Sequence, residues 1–175
     1  QSRPFIDEHD KMFRWYEYWL KGIDNGVMDE PSVSVFVEGS RERVTGTQWP
    51  PKEVAYTPLY LRPRGKITPE PEILGTDYAA PDGFYQAPLT VADSVAMLTW
   101  TTEPFDEPVE MMGTGAAHIF AEIDQDDTNF IMRLWDTAPS GKRQLLTTGY
   151  LKASHRELDE RSTVGDPIHP HTREI

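Results

Sequence analysis

Residues 13–37, Phe-Arg-Trp-Tyr-Glu-Tyr-Trp-Leu-Lys-Gly-Ile-Asp-Asn-Gly-Val-Met-Asp-Glu-Pro-Ser-Val-Ser-Val-Phe-Val, pass from a helix pattern to a strand pattern through a short turn. Met12, Trp15, Tyr16, Trp19, Leu20 and Ile23 recur at spacings of three and four, the mark of one apolar helical face. Asp7 and Asp10 stand near the start of that helix and Lys21 near its end, as the helix dipole favours. Gly22 and Gly26 are the expected stop residues, since glycine enters the left-handed conformation without steric cost. Pro31 forbids helical continuation, and Val33, Val35 and Val37 then alternate with Ser34 and Phe36, which is strand chemistry. The aromatics are read as packing residues rather than as a cofactor box. A helix this aromatic does not live alone in water and must dock on something.

Working outward, most of the remaining chain reads as β. The 175 residues suffice for one domain, which should bury roughly 70% of its extended surface. Fifteen prolines and twelve glycines point to many turns rather than long helices. Residues 49–88 hold eight of those prolines and one convincing strand, Tyr56–Leu61, and read as ordered coil. Further strands are predicted at Val95–Trp100, Ala116–Ile123, Asn129–Trp135 and Gln144–Ser154, with a polar loop at Asp124–Thr128. Ala138-Pro-Ser-Gly141 offers the proline and glycine positions of a type I turn. Short strands joined by polar loops predict an antiparallel sandwich or barrel.

A net charge of −12 with no Lys/Arg cluster argues against a nucleic-acid partner. No run of about 20 apolar residues exists to span a membrane. With no cysteine the chain has neither disulfides nor a thiol nucleophile, and a cytoplasmic location is the expectation. The chain opens on Gln1 rather than Met, so its true N-terminus is expected upstream.

Several fragments carry a resemblance. Besides the helix-to-strand junction, these are Trp49-Pro-Pro with Thr57-Pro-Leu-Tyr-Leu, and Leu98-Thr-Trp-Thr-Thr-Glu-Pro-Phe followed by Met112-Gly-Thr-Gly. Asp126-Asp-Thr-Asn-Phe-Ile-Met-Arg-Leu-Trp-Asp and Thr148-Gly-Tyr-Leu-Lys-Ala-Ser-His-Arg complete the set. In this order they resemble serine hydrolases of the cocaine esterase / X-prolyl dipeptidyl-peptidase (peptidase S15-like) family, from about residue 9 to about 170. Trp135 and His155 depart from the pattern, which favours a smaller apolar residue and a bulkier aromatic. The resemblance implies a galactose-binding-like jelly-roll β-sandwich with an N-terminal amphipathic helix. It implies that residues 1–26 are the last helix and linker of an α/β-hydrolase domain, and that residues 27–175 are the jelly-roll domain. The family domain runs on past His171, so the chain is expected to be cut short at Ile175.

The residues present do not make a hydrolase site. None of the eight serines lies in G-x-S-x-G; Gly39-Ser40-Arg41 comes nearest but lacks a glycine two positions before the serine. His9 is the one histidine near the junction, and it reads as an exposed residue of the first helical turn. Asp124, Asp126, Asp127 and Asn129 offer hard oxygen ligands, but Asn129 and Trp135 stand where a calcium loop of EF-hand type needs Gly and Glu. His169 and His171 lack further ligands nearby in sequence. Trp100, Trp135 and Tyr150 suit either sugar stacking or a sandwich core, and core is the reading preferred. The expectation is therefore a non-catalytic domain with no catalytic, cofactor or metal residues. Its partner would be the parent's catalytic α/β-hydrolase domain, and left by itself it would be a homo-oligomer or an aggregation-prone monomer. The runner-up is a free-standing jelly-roll carbohydrate-binding module.

Overall fold

The computed structural model describes residues 8–71 and 81–170. Helix α1 spans Glu8–Lys21. It stops where the sequence says it should: Gly22 takes φ +69 and its N–H bonds the Tyr18 carbonyl at 3.1 Å, a left-handed cap. Ile23 therefore lies just beyond the helix. Gly26, also at positive φ, leads into a single 3-10 turn at Val27–Asp29.

Among the described residues seven strands follow in three small sheets. β1 (Val33–Val37) pairs antiparallel with β2 (Glu42–Gly46), in register from Val33 opposite Gly46 to Val37 opposite Glu42. β3 (Tyr60–Arg62), β4 (Lys66–Thr68) and β5 (Thr101–Thr102) form the second sheet, with β4 in the middle. β3 and β4 are antiparallel; β4 and β5 are parallel, Lys66 facing Thr101 and Ile67 facing Thr102. The third sheet is the long hairpin of β6 (Asn129–Thr137) and β7 (Arg143–Lys152). Its turn is tied by Gly141 N–H to the Ala138 carbonyl at 2.8 Å, at the position predicted from Ala138-Pro-Ser-Gly. The register steps from Leu134/Thr147 to Trp135/Leu145, so Leu146 is the extra residue of a β-bulge.

The fold is mainly β with one amphipathic helix, consistent with a sandwich; the strand orders do not by themselves define a jelly roll. Two compact units are present. Gln1–Gly113 carries α1 and β1–β5, and Thr114–Ile175 carries the β6–β7 hairpin.

Some expectations move. The strand foreseen at Tyr56–Leu61 is found at Tyr60–Arg62, while Val95–Trp100 and Ala116–Ile123 form no ladder. Alternation shows that a segment is suited to a half-buried strand, but a strand exists only where another chain segment accepts its hydrogen bonds. β7 ends at Lys152, since Ala153–His155 turns into a 3-10 helix. Burial also differs from expectation: among the described residues no hydrophobic side chain is buried. Period-2 alternation explains part of this in the long hairpin. Phe130, Met132 and Leu134 share one face, while Ile131 and Trp135 share the other with Tyr150 and Leu145. A two-stranded ribbon apolar on both faces cannot cover itself.

Candidate functional site

The site with the most to offer another surface is α1. At about 100° per residue, Trp15, Trp19, Met12, Tyr16, Leu20 and Phe13 span an arc of about 160°, and Lys11, Arg14 and Tyr18 fall on the opposite side. The arc is open to solvent: Trp19 is 57% exposed and Leu20 78%. It is also ordered within itself. The Trp15 and Trp19 ring centroids lie 5.8 Å apart at 52°, and Tyr18, from outside the arc, meets Trp19 edge-on at 5.3 Å.

What the chain fastens to α1 is the other side. Beyond Gly22 the chain turns back, and Asn25 reaches the helix. Its Nδ2 donates to the Arg14 carbonyl at 2.9 Å, and Arg14 Nη2 donates to the Asn25 carbonyl at 3.0 Å. Asn25 Oδ1 also accepts Val27 N–H at 3.2 Å, which starts the 3-10 turn. Arg14 Nη1 bonds the Glu30 carboxylate, and Lys11 Nζ stands 3.6 Å from its other oxygen. The Arg14 hydrogen bond, with Lys11 beside it, holds the Glu30 carboxyl below its ordinary value. Tyr18, Gly22, Asp24, Met28 and Asp29 line an open concavity next to this clasp. The Asn25-Gly26 turn signal is visible in the sequence, whereas the return of Asn25 and Glu30 onto Arg14 is not.

The second built cluster closes the base of the long hairpin. Asp127 Oδ1 accepts Thr128 N–H at 2.9 Å and Ser154 N–H at 3.0 Å, and Oδ2 accepts Ser154 Oγ at 2.7 Å. Lys152 Nζ lies 2.9 Å from the same Oδ2. The Ser154 hydroxyl, then Lys152, depress the Asp127 carboxyl far below the usual carboxylate range. So low a basicity makes it a poor general base for the serine it touches. Both its oxygens are engaged in holding β6 to β7, and Asp124 and Asp126 are exposed beside it.

The other residues singled out from the sequence are dispersed. His9 sits on the first turn of α1 and Ser40 in the β1–β2 turn. His169 Nδ1 lies 2.9 Å from the Glu157 carbonyl; His171 falls outside the described residues. Trp100 is half-buried just ahead of β5. Trp135 and Tyr150 share one face of the hairpin, about 13 Å apart along it by strand rise. Tyr150 is 75% exposed, but the Arg143 guanidinium lies 4.7 Å over the Trp135 ring and occupies a face a sugar would stack on. Among the described residues no cluster of three His, Asp or Glu could hold a metal, and no helix is long and apolar enough to cross a membrane.

Comparison with known proteins points to a non-catalytic domain. Residues 25–173 match the family described as the X-Pro dipeptidyl-peptidase C-terminal non-catalytic domain. "Cocaine esterase" of Rhodococcus sp. (strain MB1 Bresler) is 28% identical over 185 residues, covering 89% of this chain and 30% of that protein. "Putative serine esterase" of Mycobacterium bovis is 27% identical over 179 residues, covering 91% of this chain and 28% of that protein. "Putative Xaa-Pro dipeptidyl-peptidase" of Bacillus cereus is 26% identical over 165 residues, covering 88% and 28%. The chain thus spans less than a third of the length of these relatives. No solved structure matches. The family match takes in most of the chain, and α1 stands just ahead of where it begins; this chain belongs to the X-Pro dipeptidyl-peptidase C-terminal non-catalytic domain family.

Proposed function

We propose that this non-catalytic domain supports the catalytic α/β-hydrolase domain of a longer serine hydrolase and helps wall its substrate cleft. The parent would cleave esters, amides or X-Pro dipeptides through an acyl-serine intermediate, with its nucleophile, histidine and carboxylate all in the other domain. The jelly-roll arrangement of the β domain belongs to the same proposal.

One observation carries the reading: the chain fastens its own return loop to the Lys11/Arg14 side of α1 and leaves the aromatic arc bare. Fully burying a Leu- or Phe-sized side chain contributes roughly 1.5–3 kcal/mol, so an arc of six such residues is a strong docking surface. Its place ahead of residue 25 supports a partner that precedes the β domain in the parent chain.

The test uses the full-length parent with Trp19→Ala and Leu20→Asp. Both variants are expected to shorten the half-life of hydrolase activity on heating and to expose the arc tryptophans to acrylamide. Unchanged half-life and quenching in both would overturn the proposal. A complementary assay gives this chain a p-nitrophenyl ester and a serine-directed phosphonate. No turnover above a denatured control is expected, and stoichiometric labelling of one serine would contradict it.

A further inference from the structure

The clasp between α1 and its return loop does more than end a helix. Gly22 and Gly26 let the chain reverse but, having no side chain, give the bend no stiffness. Stiffness has to come from Arg14, Asn25 and Glu30. Arg14 and Asn25 exchange hydrogen bonds in both directions, side chain to backbone, across eleven positions of sequence. Glu30 is gripped by Arg14 and faced by Lys11. Arg14 and Glu30 are partly buried, with side chains 30% and 35% exposed, and the planar guanidinium fork constrains direction as well as distance. Only Pro31 and Ser32 separate Glu30 from the first residue of β1, and Pro31 fixes its own φ. The strand therefore leaves the clasp through a link of only two residues, one of them with its φ fixed.

We propose that Arg14, Asn25 and Glu30 are positioning residues that fix the angle between α1 and the β1–β2 hairpin, and so orient that hairpin against the catalytic domain that covers the aromatic arc. This rests on the docking role proposed above. An ion pair still about one-third open to solvent contributes little to net stability, so the effect of the clasp belongs to geometry more than to folding. A cleft walled by two domains is sensitive to the angle between them, and a shift in that angle acts on substrate binding before it acts on the bond-breaking step.

The chain has no cysteine, so Glu17→Cys on α1 and Ser40→Cys in the β1–β2 turn accept a pair of spin labels without interference. One narrow distance is expected in the labelled chain. Asn25→Ala and Glu30→Gln should lose it for a broad spread, and the exchanged pair Arg14→Glu with Glu30→Arg should recover it better than either single change. In the full-length parent the same two variants should raise KM about fivefold with kcat within about twofold. Unbroadened distances, an exchanged pair no better than the single changes, or an unchanged KM would each overturn the proposal. Failure of the docking role is separately visible. In that case Trp19→Ala and Leu20→Asp leave the parent untouched, whereas failure of the clasp alone leaves those two damaging and Asn25→Ala silent.

Discussion

At the scale of single residues, Asp127 and Gly65 make the sharpest predictions. Asp127 receives four donors, and its depressed carboxyl means the folded state favours the ionised form. Its contribution is thus fully present above the ordinary carboxylate value of 3.8 and fades as pH falls below it toward the depressed folded value. Asp127→Ala should lower the melting temperature by several degrees at pH 7, and by less at pH 3; thermal melts across that range check the sign. Gly65 is required for two reasons. Its φ is +72, and a Cβ built there would stand 2.7 Å from the Thr99 carbonyl oxygen. Gly65→Ala should cost about 1–2 kcal/mol from the left-handed backbone alone, and more from the clash. Gly39→Ala meets nothing within 4 Å and serves as the neutral control in urea titrations.

At the scale of elements, α1 predicts a separation between association and stability. Leu20→Asp puts a charge on a side chain that is 78% exposed, so the chain's own melting temperature should hardly move while light scattering falls. A drop in melting temperature as large as that of Gly65→Ala would show the arc packed inside the chain instead. The helix was legible because Met12, Trp15, Tyr16, Trp19 and Leu20 keep one period and Gly22 ends it. β1 and the β6–β7 hairpin were legible for the parallel reason: alternation, with Pro139 and Gly141 in the turn. β2 was not, because Glu42-Arg-Val-Thr-Gly46 has a single apolar residue; it is a strand because β1 lies beside it and Arg43 reaches Ser34 Oγ at 2.8 Å. Ala116–Ile123 shows the converse, alternation without a ladder. The clasp and the Asp127 cluster escaped notice because each joins residues far apart in sequence, and period and turn chemistry report only near neighbours.

At the scale of the whole molecule, exposed apolar surface competes with charge. The described residues bury no hydrophobic side chain, and the aromatic arc and both faces of the long hairpin are apolar. Net charge of −12 opposes association, but screening confines that repulsion to about 8 Å at physiological salt. The expected outcome is concentration-dependent self-association that strengthens from low to moderate salt, read by light scattering. A stable monomer at every salt concentration, with quencher-inaccessible helix tryptophans, would contradict it. The parallel pairing of β4 with β5 adds a consequence in time. The three antiparallel hairpins join near neighbours, such as Val37 with Glu42 and Arg62 with Lys66, and can zip within about 1–10 μs. Lys66 and Thr101 are about 35 positions apart, so β4 waits for a much longer loop to close before its second edge is occupied. During refolding that bare edge is the late-closing gap in which a neighbouring chain can pair first. Recovery from denaturant should therefore depend on dilution, with the crowded tube losing protein at the slowest-closing edge while the fast hairpins are already made.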